Sequence, residues 1–260
     1  MNDRVLGLIL KEQDYRDSSV LLTVLCEEYG KISLVAQSAR KMTSKNRSSV
    51  LPYTKGEFFF DYKENRTMFR LKSAHTVKMY RTLHEDLNGS LAAAVIAEVM
   101  DAFLMESSDL PLSRQFYQLF ESACDALDQK HRADLVLAVT LAELLEAQGL
   151  APDVEECVLC GNTQVAALSV REGGFLCADC AQKYGVPLRD PAALRAFRLV
   201  NRARLANLDI LEKTLDSAME ECALLVEFLR LHGGLYVRSF PLFQQMFQVP
   251  DSSDLNPVKP

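Results

Sequence analysis

Several kinds of chemistry lack their residues in this chain. None of the four histidines, His75, His84, His131 and His232, is followed two positions on by Glu, so the His-x-Glu half of a deaminase zinc site is missing. No glycine-rich phosphate loop is found, nor a Ser-His-Asp order in a supporting context, so the chain is expected not to be an enzyme. No apolar run approaches the roughly 18 residues of a membrane span, and residues 1–30 lack the charged, apolar and small-residue succession of a signal peptide. A cytoplasmic chain without a membrane partner is expected, with its thiols reduced or on metal. Repeats and low-complexity tracts are absent as well.

Positive charge is also in short supply overall, with a formal net charge of −6, but its distribution is uneven. Residues 1–80 hold fourteen Lys or Arg against nine Asp or Glu, a net +5, which leaves −11 on the remaining 180 residues. Such asymmetry points to a polyanion-binding module joined to something else. From Tyr29 to Gly56 there are Lys31, Arg40, Lys41, Lys45, Arg47 and Lys55 and no acid at all. A solvated loop of chance composition is the plainer reading of that stretch.

What the chain does have is four cysteines in metal-ligand order. Cys157 and Cys160 form one Cys-x2-Cys pair, and Cys177 and Cys180 form a second after a sixteen-residue spacer. That is the grammar of a closed tetrathiolate zinc site, in which four protein ligands leave no position for an activated water, so the metal is structural. Two disulfides or four unrelated buried thiols are the alternatives. Cys26, Cys124 and Cys222 lie in apolar runs and read as small core residues.

The first 80 residues carry five short strand patterns, at Arg4 to Lys11, Ser19 to Cys26, Lys31 to Gln37, Thr54 to Tyr62 and Thr67 to Ala74. Val20, Leu22, Val24 and Cys26 fall on one face, and at least one of Phe58, Phe59 and Phe60 must point inward. Five strands in so short a span fit a closed barrel of the OB-fold type, whose strands and loops bind oligonucleotides through phosphate contacts and base stacking. Arg16 beside Tyr15, Lys63 and Arg66 in the fourth turn, and Tyr29 and Tyr53 at the ends of the basic stretch are candidate contacts.

Helical periodicity follows, at Leu83 to Met105, Ser113 to Leu127, Ala133 to Gln148, Asp190-Pro191 to about Val200, and Leu208 or Glu212 to His232. The expected organisation is α+β: an OB-fold barrel over residues 1–80, a helical domain over 81–150 and 187–248, a four-cysteine hairpin inserted at 151–186, and a disordered tail at 249–260. Gly149 stops the third helix, and Gly173-Gly174 turns the hairpin.

This order of elements, together with Tyr15-Arg16-Asp17-Ser18, Glu28-Tyr29-Gly30-Lys31-Ile32, Ala39-Arg40-Lys41, the run from Leu144 to Asp153 into Cys157-x2-Cys160-Gly161, and Gly173-Gly174-Phe175-Leu176-Cys177-x2-Cys180, resembles the RecO recombination mediators of bacterial DNA repair. The likeness extends from about Val5 to Phe240. It implies a non-enzyme, associated with the nucleoid, that binds single- and double-stranded DNA and anneals complementary strands. With RecR, such a protein helps load RecA onto DNA covered by single-strand-binding protein, whose acidic, apolar C-terminal tail it recognises. The family's basic barrel residues map most directly onto Arg40 and Lys41, then onto Lys45 and Arg47. Gln37-Ser38 replaces the Gly usual before that cluster, and the segment after His232 carries less positive charge than is usual. The rival readings are a zinc-stabilised scaffold that binds no DNA, and a regulator reading duplex through the hairpin. The second is disfavoured because Arg171 is the one positive residue between the cysteine pairs.

Overall fold

The computed structural model describes residues 2–16, 19–37, 49–63, 66, 68–104 and 110–247. Five strands open the chain: β1 (Asn2–Tyr15), β2 (Ser19–Cys26), β3 (Gly30–Ala36), β4 (Thr54–Asp61) and β5 (Met68–Met79). They close into a barrel in the order β1-β2-β3-β5-β4, antiparallel throughout except for the β3–β5 pair that completes it. This is the five-stranded OB-fold expected from the strand spacing.

Alternation explains the closure. Val20, Leu22, Val24 and Cys26 of β2 fill the barrel with Ile32, Leu34, Phe58, Phe60, Phe69 and Leu71. Phe59 faces the other way, its ring edge-on to His75. β1 is two-faced by simple alternation: Val5 and Ile9 join the barrel interior, whereas Leu8 and Leu10 join the helical core, and its register with β2 shifts between Ile9 and Lys11.

Nine helices follow among the described residues: α1 (Arg81–Glu85), α2 (Leu87–Phe103), α3 (Leu110–Asp128), α4 (Ala133–Ala147), α5 (Ala178–Tyr184), α6 (Pro191–Arg202), α7 (Leu208–Thr214), α8 (Met219–His232) and α9 (Phe240–Phe247). The helix α4 is apolar nearly all round and sits at the centre, with α2, α3, α6, α7 and α8 against it. Between α4 and α6 the hairpin strands β6 (Val165–Ser169) and β7 (Gly174–Cys177) pair antiparallel across the Gly173-Gly174 turn.

Two expected long helices are each divided. The first breaks at Asp86, whose carboxylate accepts the Gly89 amide at 2.6 Å and so caps a new helix, α2. The second breaks between Thr214 and Met219. Fully buried Asp134 accepts the Ala218 amide at 2.7 Å, and Arg132 donates to the Leu215 carbonyl at 2.5 Å. These tertiary bonds satisfy the backbone groups that a continuous helix would have used internally. The tail expected at 249–260 lies outside the described residues.

Candidate metal centre and nucleic-acid interface

Two knuckles build the cysteine cluster. After Cys157 the chain folds back so that the amides of Cys160 and Gly161 both reach the Cys157 carbonyl, at 3.2 and 2.8 Å, with Gly161 in the left-handed region at φ 73°. Cys177 ends β7 and directly precedes α5, whose first turn carries Cys180. All four Sγ atoms lie within 4.8 Å of one another, and Cys160 and Cys177 are 3.6 Å apart. Thiolates bound at about 2.3 Å around a tetrahedral ion stand about 3.8 Å from each other, so the four residues fit such a metal. A disulfide needs sulfurs about 2.05 Å apart, and all seven cysteines are free thiols.

The protonation pattern agrees with a donor set that wants a cation. Burial opposes ionisation of Cys157, but the amides of Cys177, Leu159 and Cys160 outweigh it and bring this thiol down to about 6. The adjacent Cys177 thiol, with burial, holds Cys180 up at about 12. One thiolate thus forms readily and discourages Cys160 and Cys180, a conflict that a bound divalent ion resolves.

The barrel's candidate contacts have diverse placements. Arg40, Lys41, Lys45 and Arg47 lie outside the described residues. Lys31 faces the helical body, where its ammonium donates to the Asp101 carbonyl at 2.6 Å and carboxylate at 2.9 Å, with 12% of its side chain exposed. Arg16, at φ 54°, is exposed and holds its guanidinium 5.2 Å from the centre of the Tyr15 ring. Lys63 and Arg66 are exposed in the β4–β5 connection.

Among the aromatics, Tyr53 turns into the junction of barrel and helices against His84 and Phe120, and burial together with the nearby Cys124 pushes its hydroxyl up to about 12. It is therefore packing rather than a platform for bases. Tyr29 packs edge-on to Phe60 and beside Tyr62. Tyr62 is the exposed member, 39% accessible and stacked on core residue Phe69 at 5.5 Å and 25°.

Arg70 was missed by sequence reasoning. Along β5, Phe69 and Leu71 point inward while Met68, Arg70 and Lys72 point outward, and Arg70 pairs in register with Val35 of β3. The alternation of β5 carried that signal. Tyr62, Lys63 and Arg66 lie in the β4–β5 connection, where Tyr62 also meets Tyr29 just ahead of β3, and Arg70 lies further along β5 opposite Val35.

Fold and cluster together define an OB-fold protein whose barrel is joined to a helical body carrying a four-cysteine hairpin. The chain belongs to the RecO family of DNA repair proteins: the family model described as recombination protein O N terminal matches residues 1–80, and that described as recombination protein O C terminal matches residues 84–240. Among its relatives is the DNA repair protein RecO of Bacillus subtilis, 28% identical over 248 residues that cover 92% of this chain and 93% of that protein. That of Bacillus pumilus is 27% identical over 245 residues, covering 92% and 93%. That of Syntrophomonas wolfei is 29% identical over 208 residues, covering 78% and 80%. No helix among the described residues is long and apolar enough to cross a membrane.

Proposed function

We propose that this chain is a recombination mediator that binds single- and double-stranded DNA without sequence preference and anneals complementary strands. With RecR it would assist the loading of RecA onto DNA coated by single-strand-binding protein, whose acidic C-terminal tail it recognises. The observation that carries the reading is exposed Tyr62 stacked on Phe69, with Lys63 and Arg66 exposed in the same β4–β5 connection and Arg70 exposed on β5. An aromatic face accepts any base and cationic side chains accept any phosphate, so such a site is blind to sequence and weakened by salt. Arg40 and Lys41, in the basic segment that follows β3 in the sequence, supply further phosphate contacts. Cys157, Cys160, Cys177 and Cys180 would hold zinc as a structural staple, since four thiolates supply a complete tetrahedral ligand set.

Titration of fluorescent single-stranded DNA at several salt concentrations tests this. Each lost phosphate contact flattens the log–log salt dependence by about 0.7, so Arg40→Ala with Lys41→Ala is expected to flatten it by about 1.4, equally for all sequences. Tyr62→Ala is expected to weaken binding by about 1–3 kcal/mol while leaving the slope alone. An unchanged slope in the double variant removes Arg40 and Lys41 from the site, and no binding by the natural chain at low salt favours the scaffold.

A further inference from the structure

We propose that the outer face of α6 is a second strand-binding surface, separate from the barrel, that holds the phosphates of a second nucleic-acid strand. The inference rests on the reading of the barrel as a DNA site and adds where the partner strand goes.

The sequence around α6 reverses the character of the body. From Lys183 to Arg204 there are six basic residues and one acid, in a body that is otherwise strongly acidic. That acid, Asp190, is already engaged: its carboxylate caps α6 by accepting the Ala192 amide at 2.7 Å. Within the helix, Leu194, Phe197 and Val200 form the buried face. Arg195, Arg198, Leu199 and Arg202 recur at i, i+3, i+4 and i+7, all exposed, and so form one stripe on the outside.

The stripe keeps a positive surplus. Glu155, from the approach to the hairpin, accepts from Arg198 and from Arg202, the latter at 2.8 Å, while Arg195 has no ion-pair partner among the described residues. Arg198, Arg202 and Glu155 are 55%, 63% and 41% exposed, and pairs so solvated hold their partners only weakly. A phosphate can therefore take the carboxylate's place at little cost. All three cations are arginine, whose planar, weakly hydrated guanidinium grips phosphate by two parallel hydrogen bonds.

Length favours a strand over an acidic peptide. Arg195 to Arg202 spans about 10 Å along the helix axis at about 1.5 Å per residue, which matches about three steps of one strand at about 3.4 Å of axial rise each. Leu199 is the sole apolar side chain in the row and offers little to anchor a peptide. Two strands held at two surfaces by one chain have their repulsion neutralised while their base edges stay available, which is what annealing requires.

The test is native mass spectrometry of the full-length metal-loaded chain with two non-complementary oligonucleotides, alongside annealing kinetics. The natural chain is expected to hold two strands per chain. R195E/R198E/R202E should hold one, keep its first-strand affinity and anneal at least about tenfold more slowly, and R195A/R198A/R202A should flatten the second strand's salt slope by about 2. Glu155→Gln removes the competing carboxylate and should tighten the second strand, a gain that misfolding cannot mimic. A natural chain that binds no strand overturns both readings, and one that holds a single strand overturns this one alone. So do arginine variants that still hold two strands, that lose both equally with melting unchanged, or that lose only an acidic peptide.

Discussion

Gly173 and Gly174 occupy adjacent positions for different physical reasons. Gly173 has φ 91° with open space around it, so the backbone conformation alone calls for glycine. Gly174 has no such φ, but a Cβ there would stand 2.3 Å from the Asp153 carbonyl oxygen and 2.9 Å from the Asp153 nitrogen. The Asp153 segment lies directly along β7, with its amide donating to the Gly173 carbonyl at 3.0 Å and its carbonyl accepting the Phe175 amide at 2.9 Å. Both obstacles are backbone atoms held by hydrogen bonds, so neither can turn aside as a side chain would. Gly174→Ala is expected to destabilise the protein by about 1–3 kcal/mol through overpacking, read as a lower midpoint in urea at unchanged slope. A midpoint equal to that of the natural chain would show that the Asp153 strand yields. The Gly-Gly pair was legible as a turn, but the backbone approach that fixes its second member was not, because Asp153 comes from twenty-one residues upstream.

At the scale of elements, the cysteine hairpin has two faces. Ala167 and Leu176 lie with Cys157, Cys177 and Ala181 in a small cluster, while Leu168 and Phe175 enter the helical core, where the Phe175 ring meets Phe197 of α6 at 6.1 Å. A two-stranded hairpin is marginal in water, and a five-residue cluster buries too little to change that. A metal held by the four cysteines would supply the missing stability. Stripping it with a strong chelator, or Cys177→Ser, is expected to raise amide exchange at least about tenfold across 153–186 and along the inner face of α6, while strands β1 to β3 keep their protection. Exchange unaltered by metal removal would mean that the hairpin stands without it. The cysteine spacing and the strands around Gly173-Gly174 were readable because both are local patterns. The helix α5 escaped notice because Cys177-x2-Cys180 reads as a second knuckle whether or not a helix begins there. The division into α7 and α8 depends on Asp134 and Arg132, which sequence periodicity cannot place.

Across the whole molecule, the charge asymmetry of the sequence serves two ends. Three barrel lysines face acids of the body, Lys31 on Asp101, Lys55 on Glu121 and Lys78 on Asp125. Part of what looked like a polyanion site in the sequence is thus an internal seam, and no one-dimensional count could separate the two. Apolar packing reinforces the seam, since Leu8, Leu10, Leu25 and Tyr80 are buried in the helical core. The barrel and body should accordingly unfold in one calorimetric transition. The Lys78 pair is the most exposed of the three and contributes little. Lys31 is the least exposed and makes two bonds to Asp101, so its removal leaves a partly buried carboxylate and carbonyl without their donor. Hydrogen bonds to charged groups are worth about 1.5–3 kcal/mol. Lys31→Ala is therefore expected to lower the melting temperature of that single transition by several degrees and to leave the salt slope of DNA binding unchanged. Asp101→Asn should cost less, because an amide oxygen still accepts from Lys31, and the double variant should fall short of the sum of the two. If Lys31→Ala melts like the natural chain and flattens the salt slope, Lys31 belongs to the DNA surface and not to the seam.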